Sequence, residues 1–291
     1  MKVIIHLGAH CTDGDELVRC LRQNTDKLIE QGIAVPEQSV YRSLIKETLK
    51  TLKDEPASEA KQNEILEVLM GEDDADRIVL SHEAFLGIKG RCVGHDMLYP
   101  LAAGRTPRLR KLFAQCEVEF FLGMRDPATF LPTVFERTRQ TDFDSFLSKA
   151  DPLRLRWSNL IARIQNRVPD APITVWSNED TPLIWNDLLR AISGHDEHTE
   201  LDGRYEFLHS LMSQSGAERM RSYLDERPTP DRDQNLRVVS AFLGKYGLPE
   251  MIDQEIDIPG WSADYVEAIS QSYDDDMAEI DALPGVTRIV P

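Results

Sequence analysis

Apolar residues follow two rhythms along this chain, and the alternation between them predicts the fold class. Short unbroken apolar runs bounded by turn residues read as buried strands, and apolar residues at helical spacing read as amphipathic helices. Residues 2–8 (KVIIHLG), 77–81 (RIVLS), 118–124 (VEFFLGM) and 173–176 (ITVW) are runs of the first kind. Within 15–30, Leu17, Val18, Leu21, Leu28 and Ile29 fall on one helical face, and Gly32 supplies the stop. Residues 43–70 read as a charged helical stretch interrupted by DEPAS at 54–58, followed by the acidic turn GEDDAD at 71–76. After a glycine-rich, loop-like stretch at 87–104, PRLRKLFAQC (107–116) predicts a helix feeding the third strand. Further helices are expected from near Pro127, over 153–166 and over 182–192, the last with Asn178 or Thr181 as cap and Gly194 as stop.

Strands separated by single helices imply right-handed crossovers, hence an α/β fold with a parallel sheet and helices on both faces. The first strand is expected in the middle of that sheet, because a run this apolar needs cover on both faces. Beyond about Glu200 no strong strand stands out, and 208–224, 234–246 and 262–280 all read as helical. The expected organisation is an α/β core over 1–200 with a helical C-terminal region over 201–291 packed on it.

Charge narrows the partners. The 291 residues carry a net charge of −17, a field that repels polyanions, so nucleic acid and anionic membrane surfaces are not expected partners. An anionic ligand would need a local basic pocket. No run approaches the roughly 18 apolar residues that span a bilayer, and no basic-then-apolar leader opens the chain, so a cytoplasmic location is expected. The four cysteines show no C-x-x-C pairing and are expected to be reduced thiols.

The chemistry concentrates at the start. A strand running into Gly8 and then into a helix is the architecture that holds a phosphate on free N–H groups. Asp13, Asp15 and Glu16 stand where that phosphate would go. HCTDG at 10–14 copies the opening of a cysteine-phosphatase loop, but the arginine that would close it is Leu17, and the neighbouring carboxylates would raise the Cys11 pKa. His6 and His10 cannot share a metal along a straight strand, where residues four apart are separated by about 13 Å; no metal is predicted. Asp13 three residues before Glu16 has the spacing of a capping box, in which carboxylates take the helix N–H groups. Arg105, Arg108, Arg110 and Lys111 read as a solvated helix face, and Trp176 and Trp185 as core.

Taken with its neighbours, the stretch at 5–36 (IHLGAHCTDGDELVRCLRQNTDKLIEQGIAVP) resembles the start of bacterial sulfotransferase-like proteins, a P-loop-type fold. There the strand enters G-A-H-K-T-G-T-T-S-L and the helix ends in a G-I-x-x-P turn. Gly8, Ala9, His10, Thr12, Leu17, Gly32, Ile33 and Pro36 match; Cys11, Asp13, Gly14, Asp15 and Glu16 do not. In the family this loop holds the 5′-phosphosulfate of the donor PAPS, which implies His10 and Thr12 as donor contacts here. MRDPATFLPT (124–133) is similar to the R-D-P-x-x-R-L-x-S segment that binds the donor's 3′-phosphate, which implies the same role for Arg125 and Thr133. VLSHEAF (79–85) resembles a segment where some members carry a glutamate general base, implying Glu83, with His82 beside it as the other candidate base. The stretches at 176–194 and 273–286 also look like related strand–turn–helix and tail segments.

The resemblance implies PAPS, or its product PAP, as cofactor and a small-molecule or carbohydrate acceptor as partner. The altered loop changes that expectation. Each carboxylate near a helix start stabilises the helix by roughly 0.3–1 kcal/mol and repels an incoming phosphosulfate. The absent lysine removes the cation that would stabilise charge on the departing phosphate. Three readings stay open: a sulfotransferase-fold binding or scaffolding protein with lost or altered PAPS binding, a working transferase with a remodelled donor site, or unrelated chemistry on the same fold.

Overall fold

The computed structural model describes residues 1–52, 55–71, 73–227, 231–252 and 256–291. Asp54 of the predicted interruption and Glu72 of the predicted acidic turn lie outside the described residues.

The chain opens with β1 (Lys2–His6), α1 (Glu16–Gln23), α2 (Thr25–Ile29) and β2 (Ile33–Ala34). The helix expected over 15–30 is therefore two, broken at Asn24, whose amide side chain bonds Cys20 O and Asp202 O. Next come α3 (Gln38–Thr51), α4 (Glu59–Met70) and β3 (Arg77–Ser81). The expected glycine-rich loop contains an antiparallel pair, β4 (Val93–Gly94) and β5 (Met97–Leu98), and runs into α5 (Ala102–Leu112). Then follow β6 (Glu117–Met124), α6 (Pro127–Glu136), α7 (Phe143–Leu147), α8 (Trp157–Arg167), β7 (Ile173–Ser177) and α9 (Thr181–Ser193). The C-terminal part holds α10 (Glu206–Ser210), α11 (Gln214–Glu226), α12 (Arg232–Tyr246), α13 (Pro249–Ile252), α14 (Ala263–Asp281) and β8 (Val286–Arg288).

Among the described residues six strands form one sheet in the order β2-β3-β1-β6-β7-β8, and every pairing in it is parallel. β1 lies inside the sheet, between β3 and β6. Its side chains alternate between the two faces: Val3 and Ile5 join one apolar cluster with residues of α3 to α6, α8 and α14, and Ile4 joins the other with residues of α1, α2 and α9. Helices thus cover both faces, which is why the strands read as continuous apolar runs.

The C-terminal region is mostly helical, and α10 to α12 gather their own small apolar cluster around Leu208, Met220 and Val239. The expectation of no strand there is corrected by β8, which pairs with β7 at the sheet edge. Three residues carry too little pattern to announce a strand; the open edge of β7 supplies the hydrogen bonds that make one, continued by Ile289 N–H to Val175 O at 2.9 Å. Trp176 and Trp185 are buried, as expected. The basic group on α5 is not a solvated face: Arg105 donates to Ala84 O, Arg108 to Leu49 O and Leu52 O, and Arg110 pairs with Asp170. These half-buried guanidiniums tie α5 to its neighbours because their long apolar stems can lie in the core while the heads reach backbone carbonyls.

Candidate functional site

Open parallel sheets hold ligands beyond the C-terminal ends of their strands, where the chain leaves in opposite directions. Here α1, which follows β1, packs on one face, and α6, which follows β6, packs on the other. The loop over 7–15 sits at that parting.

Backbone pairing carries this loop past the end of β1. Leu7 N–H donates to Phe121 O at 2.8 Å, Ala9 N–H to Gly123 O at 2.9 Å, and Gly123 N–H to Gly8 O at 2.7 Å. Gly8 has φ of 97°, and a Cβ there would lie 3.1 Å from Glu83 Cα. Glycine is what lets the segment after β3 cross so closely.

His10 is buried beneath the loop. Its backbone N–H donates to the Tyr99 hydroxyl at 2.9 Å, which leaves the phenolic hydrogen for His10 Nδ1 at 2.8 Å. That network assigns a neutral imidazole with its hydrogen on Nε2. Burial pushes the His10 pKa down to about 4, outweighing the nearby Glu83. Thr12 Oγ1 donates to Ala9 O at 3.0 Å and so ties the turn to itself.

At the helix start, Asp13 Oδ2 accepts from Leu17 N–H at 3.2 Å, and Asp13 O from Glu16 N–H at 3.1 Å. Asp15, with φ of 67°, is the residue that enters α1; its carboxylate accepts from Gln38 Nε2 at 2.8 Å instead of capping. The expected capping box is therefore half formed. Glu16 stands at the first helical position, too early to reach back, and pairs along the helix surface with Arg19.

The Cys11 thiol is buried and its pKa is pushed up, chiefly by that burial, with Arg137 and Lys89 pulling the other way. The phosphatase reading fails on burial, and of the carboxylates only Glu83 adds to it. Arg125 crosses the β1–β6 boundary: Nη1 donates to Cys11 O at 2.6 Å and Nε to Thr129 Oγ1 at 3.0 Å. Thr133 Oγ1 donates to Thr129 O at 2.8 Å, within its own helix.

Glu83 faces the loop and pairs with Lys89 at 2.8 Å. Burial alone would raise its pKa, but the hydrogen bond and charge of Lys89 hold it below the usual glutamate range. His82 turns elsewhere, edge-on to Phe85 at 5.5 Å, and its pKa is lowered first by burial and then by Arg42. Of the expected site residues, Glu83 lines a pocket of about 200 Å³ against the loop, together with His6, Cys11, Asp13, Asp15, Lys89 and Arg137. Lys89 and Arg137 carried no sequence signal; one sits in a glycine-rich stretch and the other at the end of α6.

Beyond β6 and β7 a second polar cluster closes the boundary on the Arg125 side. Asp126 N–H donates to Glu179 Oε1 at 2.9 Å, Ser177 Oγ to Glu179 Oε2 at 2.6 Å, and α14 adds the Ser270 hydroxyl to the Asp126 carboxylate. Burial raises the Asp126 pKa.

Among the described residues no group of three or more His, Cys, Asp or Glu could hold a metal ion, and no helix is long and apolar enough to cross a membrane. A wider cleft of about 1180 Å³ lies between α9 and α10 to α12, away from the strand ends; Asp187 there pairs with Arg190 and Arg232, and Glu200 with Arg204. No family model matches the chain, and no curated protein sequence matches it.

Proposed function

We propose that this chain is a sulfotransferase-like α/β protein, of P-loop type, whose donor site is filled by its own side chains, and that it acts as a binding or scaffolding protein without conventional PAPS use. The observation that carries the reading is the Asp13 carboxylate on Leu17 N–H at 3.2 Å. That N–H belongs to the helix start on which a 5′-phosphosulfate would sit, and the carboxylate both occupies it and repels a second anion. The expected 3′-phosphate contact is likewise engaged, with Arg125 on Cys11 O and Asp126 and Glu179 close by. Glu83, paired with Lys89 and held in its anionic form, is a weak base for an alcohol.

One observation favours the alternative of a working transferase: Lys89 and Arg137 face the pocket beside the loop, where they could replace the missing lysine. In that version Glu83 takes the proton from an acceptor hydroxyl or amine of a small molecule or carbohydrate. The acceptor atom bonds to sulfur as the sulfur–oxygen bond to the donor phosphate breaks, and PAP leaves. His10 and Thr12 would shape the loop, and Arg125 and Thr133 would hold the 3′-phosphate.

Calorimetry with PAPS and PAP separates the two. The wild type is expected to give no saturable heat. A variant with Cys11→Lys, Asp13→Gly, Asp15→Thr and Glu16→Ser should gain PAPS affinity while melting at lower temperature, since losing a helix cap costs about 0.5–2 kcal/mol. Tight PAPS binding by the wild type that the variant weakens would establish the transferase reading instead.

A further inference from the structure

We infer that the pocket between the 7–15 loop and the segment after β3 takes a small zwitterion, a molecule with a protonated amine and an oxyanion a few bonds apart. The inference rests on the proposal that no donor phosphosulfate occupies this loop. The pocket is lined by three carboxylates, Asp13, Asp15 and Glu83, and by two cations, Lys89 and Arg137. Gln38 donates both to Asp15 Oδ1 at 2.8 Å and to Ser81 O at 3.1 Å, which sets Asp15 beside the end of β3 and His6. Gln140 donates to Gly90 O at 3.1 Å, which brings the segment just after Arg137 to that of Lys89, and Glu83 lies with these cations on Lys89 at 2.8 Å.

At the acidic end, His6 is 2 % exposed and lines the pocket. Its Nδ1 bonds Ser81 Oγ at 2.9 Å, and its Nε2 has no hydrogen-bond partner among the described residues. His6 Nδ1 and Ser81 Oγ can share their hydrogen in either sense; in the tautomer with the hydrogen on Nδ1, Nε2 is an acceptor. A neutral acceptor beside two carboxylates suits an ammonium, which has three hydrogens to donate and no lone pair. At the other end, the Arg137 fork and the Lys89 hydrogens not used on Glu83 suit a carboxylate, sulfonate or phosphate. The pocket, about 200 Å³, has room for a molecule of amino-acid size. A fragment with one charge leaves one end unmatched, so both charges on one molecule are what the pocket selects.

Calorimetry on the full chain with glycine, β-alanine, taurine and phosphoethanolamine tests this, with acetate, methylammonium and sulfate as one-charge controls. At least one zwitterion should bind saturably and about tenfold or more tighter than any control, a difference worth 1.4 kcal/mol. Asp15→Asn and Arg137→Ala, both at side chains open to solvent, should each weaken that zwitterion by about tenfold and leave the melting curve unchanged. No binding by any zwitterion, sulfate binding as tightly as the best of them, or binding that ignores both substitutions overturns the inference. Saturable PAPS binding by the wild type, read in its own titration, overturns the proposed function instead, so the two failures are distinguishable.

Discussion

Replacing Tyr99 by phenylalanine isolates what holds the opening loop down. The hydroxyl takes the His10 N–H at 2.9 Å and gives its hydrogen to His10 Nδ1 at 2.8 Å, and Tyr99 and His10 are 0 % and 1 % exposed. Phenylalanine keeps the ring that stacks on His10 and touches Phe130 and Trp157, so no cavity opens beyond the lost oxygen. What is lost is the partner of one buried donor and one buried acceptor, at about 1–3 kcal/mol for each group left unsatisfied. Partial relaxation of the loop brings the expected sum to about 2–4 kcal/mol. Urea denaturation of wild type and Tyr99→Phe at pH 7.5 measures it as a shift in midpoint at constant slope. A cost under about 0.5 kcal/mol, the ordinary range for a surface substitution, would refute the reasoning, because it would mean that the hydroxyl and the loop backbone find water equally good.

His10 also sets a pH dependence. Its folded pKa of about 4 lies below the ordinary 6.5, so as pH falls the unfolded chain takes up a proton that the folded chain refuses. The stability is complete above 6.5 and is lost toward 4, about 2 kcal/mol by pH 5; His10→Gln should remove that part of the slope when stability is compared at pH 7.5 and 5. Asp276 of α14 is buried and accepts from Trp157 N–H at 2.5 Å and Ser158 N–H at 3.3 Å, capping α8 from another element. Asp276→Ala should cost about 2–4 kcal/mol by urea denaturation, and Asp276→Asn less, because it keeps an acceptor. Burial raises the Asp276 pKa, so the folded state holds a proton that the unfolded chain releases; the stability this contributes is complete below about 3.8 and is lost as pH rises through the folded value, and Asp276→Asn should remove that part of the pH profile. Arg125→Ala removes the strap on Cys11 O and should lower the melting temperature; if PAP gives any heat with wild type, the substitution should abolish it, and an unchanged affinity would discard Arg125 as a nucleotide contact.

A burial rhythm within one element can be read along the chain with no knowledge of its neighbours. The runs at 2–8, 77–81, 118–124 and 173–176 became strands of a parallel sheet because a strand covered on both faces must be apolar throughout. The place of the loop, and of Asp13 at its helix, was legible for the same local reason: an N–H and its carboxylate four residues apart need no distant partner. Everything else depends on which segments the fold brings together. β2 and β8 are strands only because a neighbouring edge offers hydrogen bonds to segments too short to show alternation. Tyr99 lies 89 positions from His10, and Arg125 lies 114 from Cys11. Lys89 and Arg137 come from two further segments to face the loop between them. No periodicity links residues that far apart. Which carboxylate is matched and which backbone group is strapped follows from how β1, β3 and β6 line up, since electrostatic and hydrogen-bond energies depend on distances that exist only after the sheet has formed.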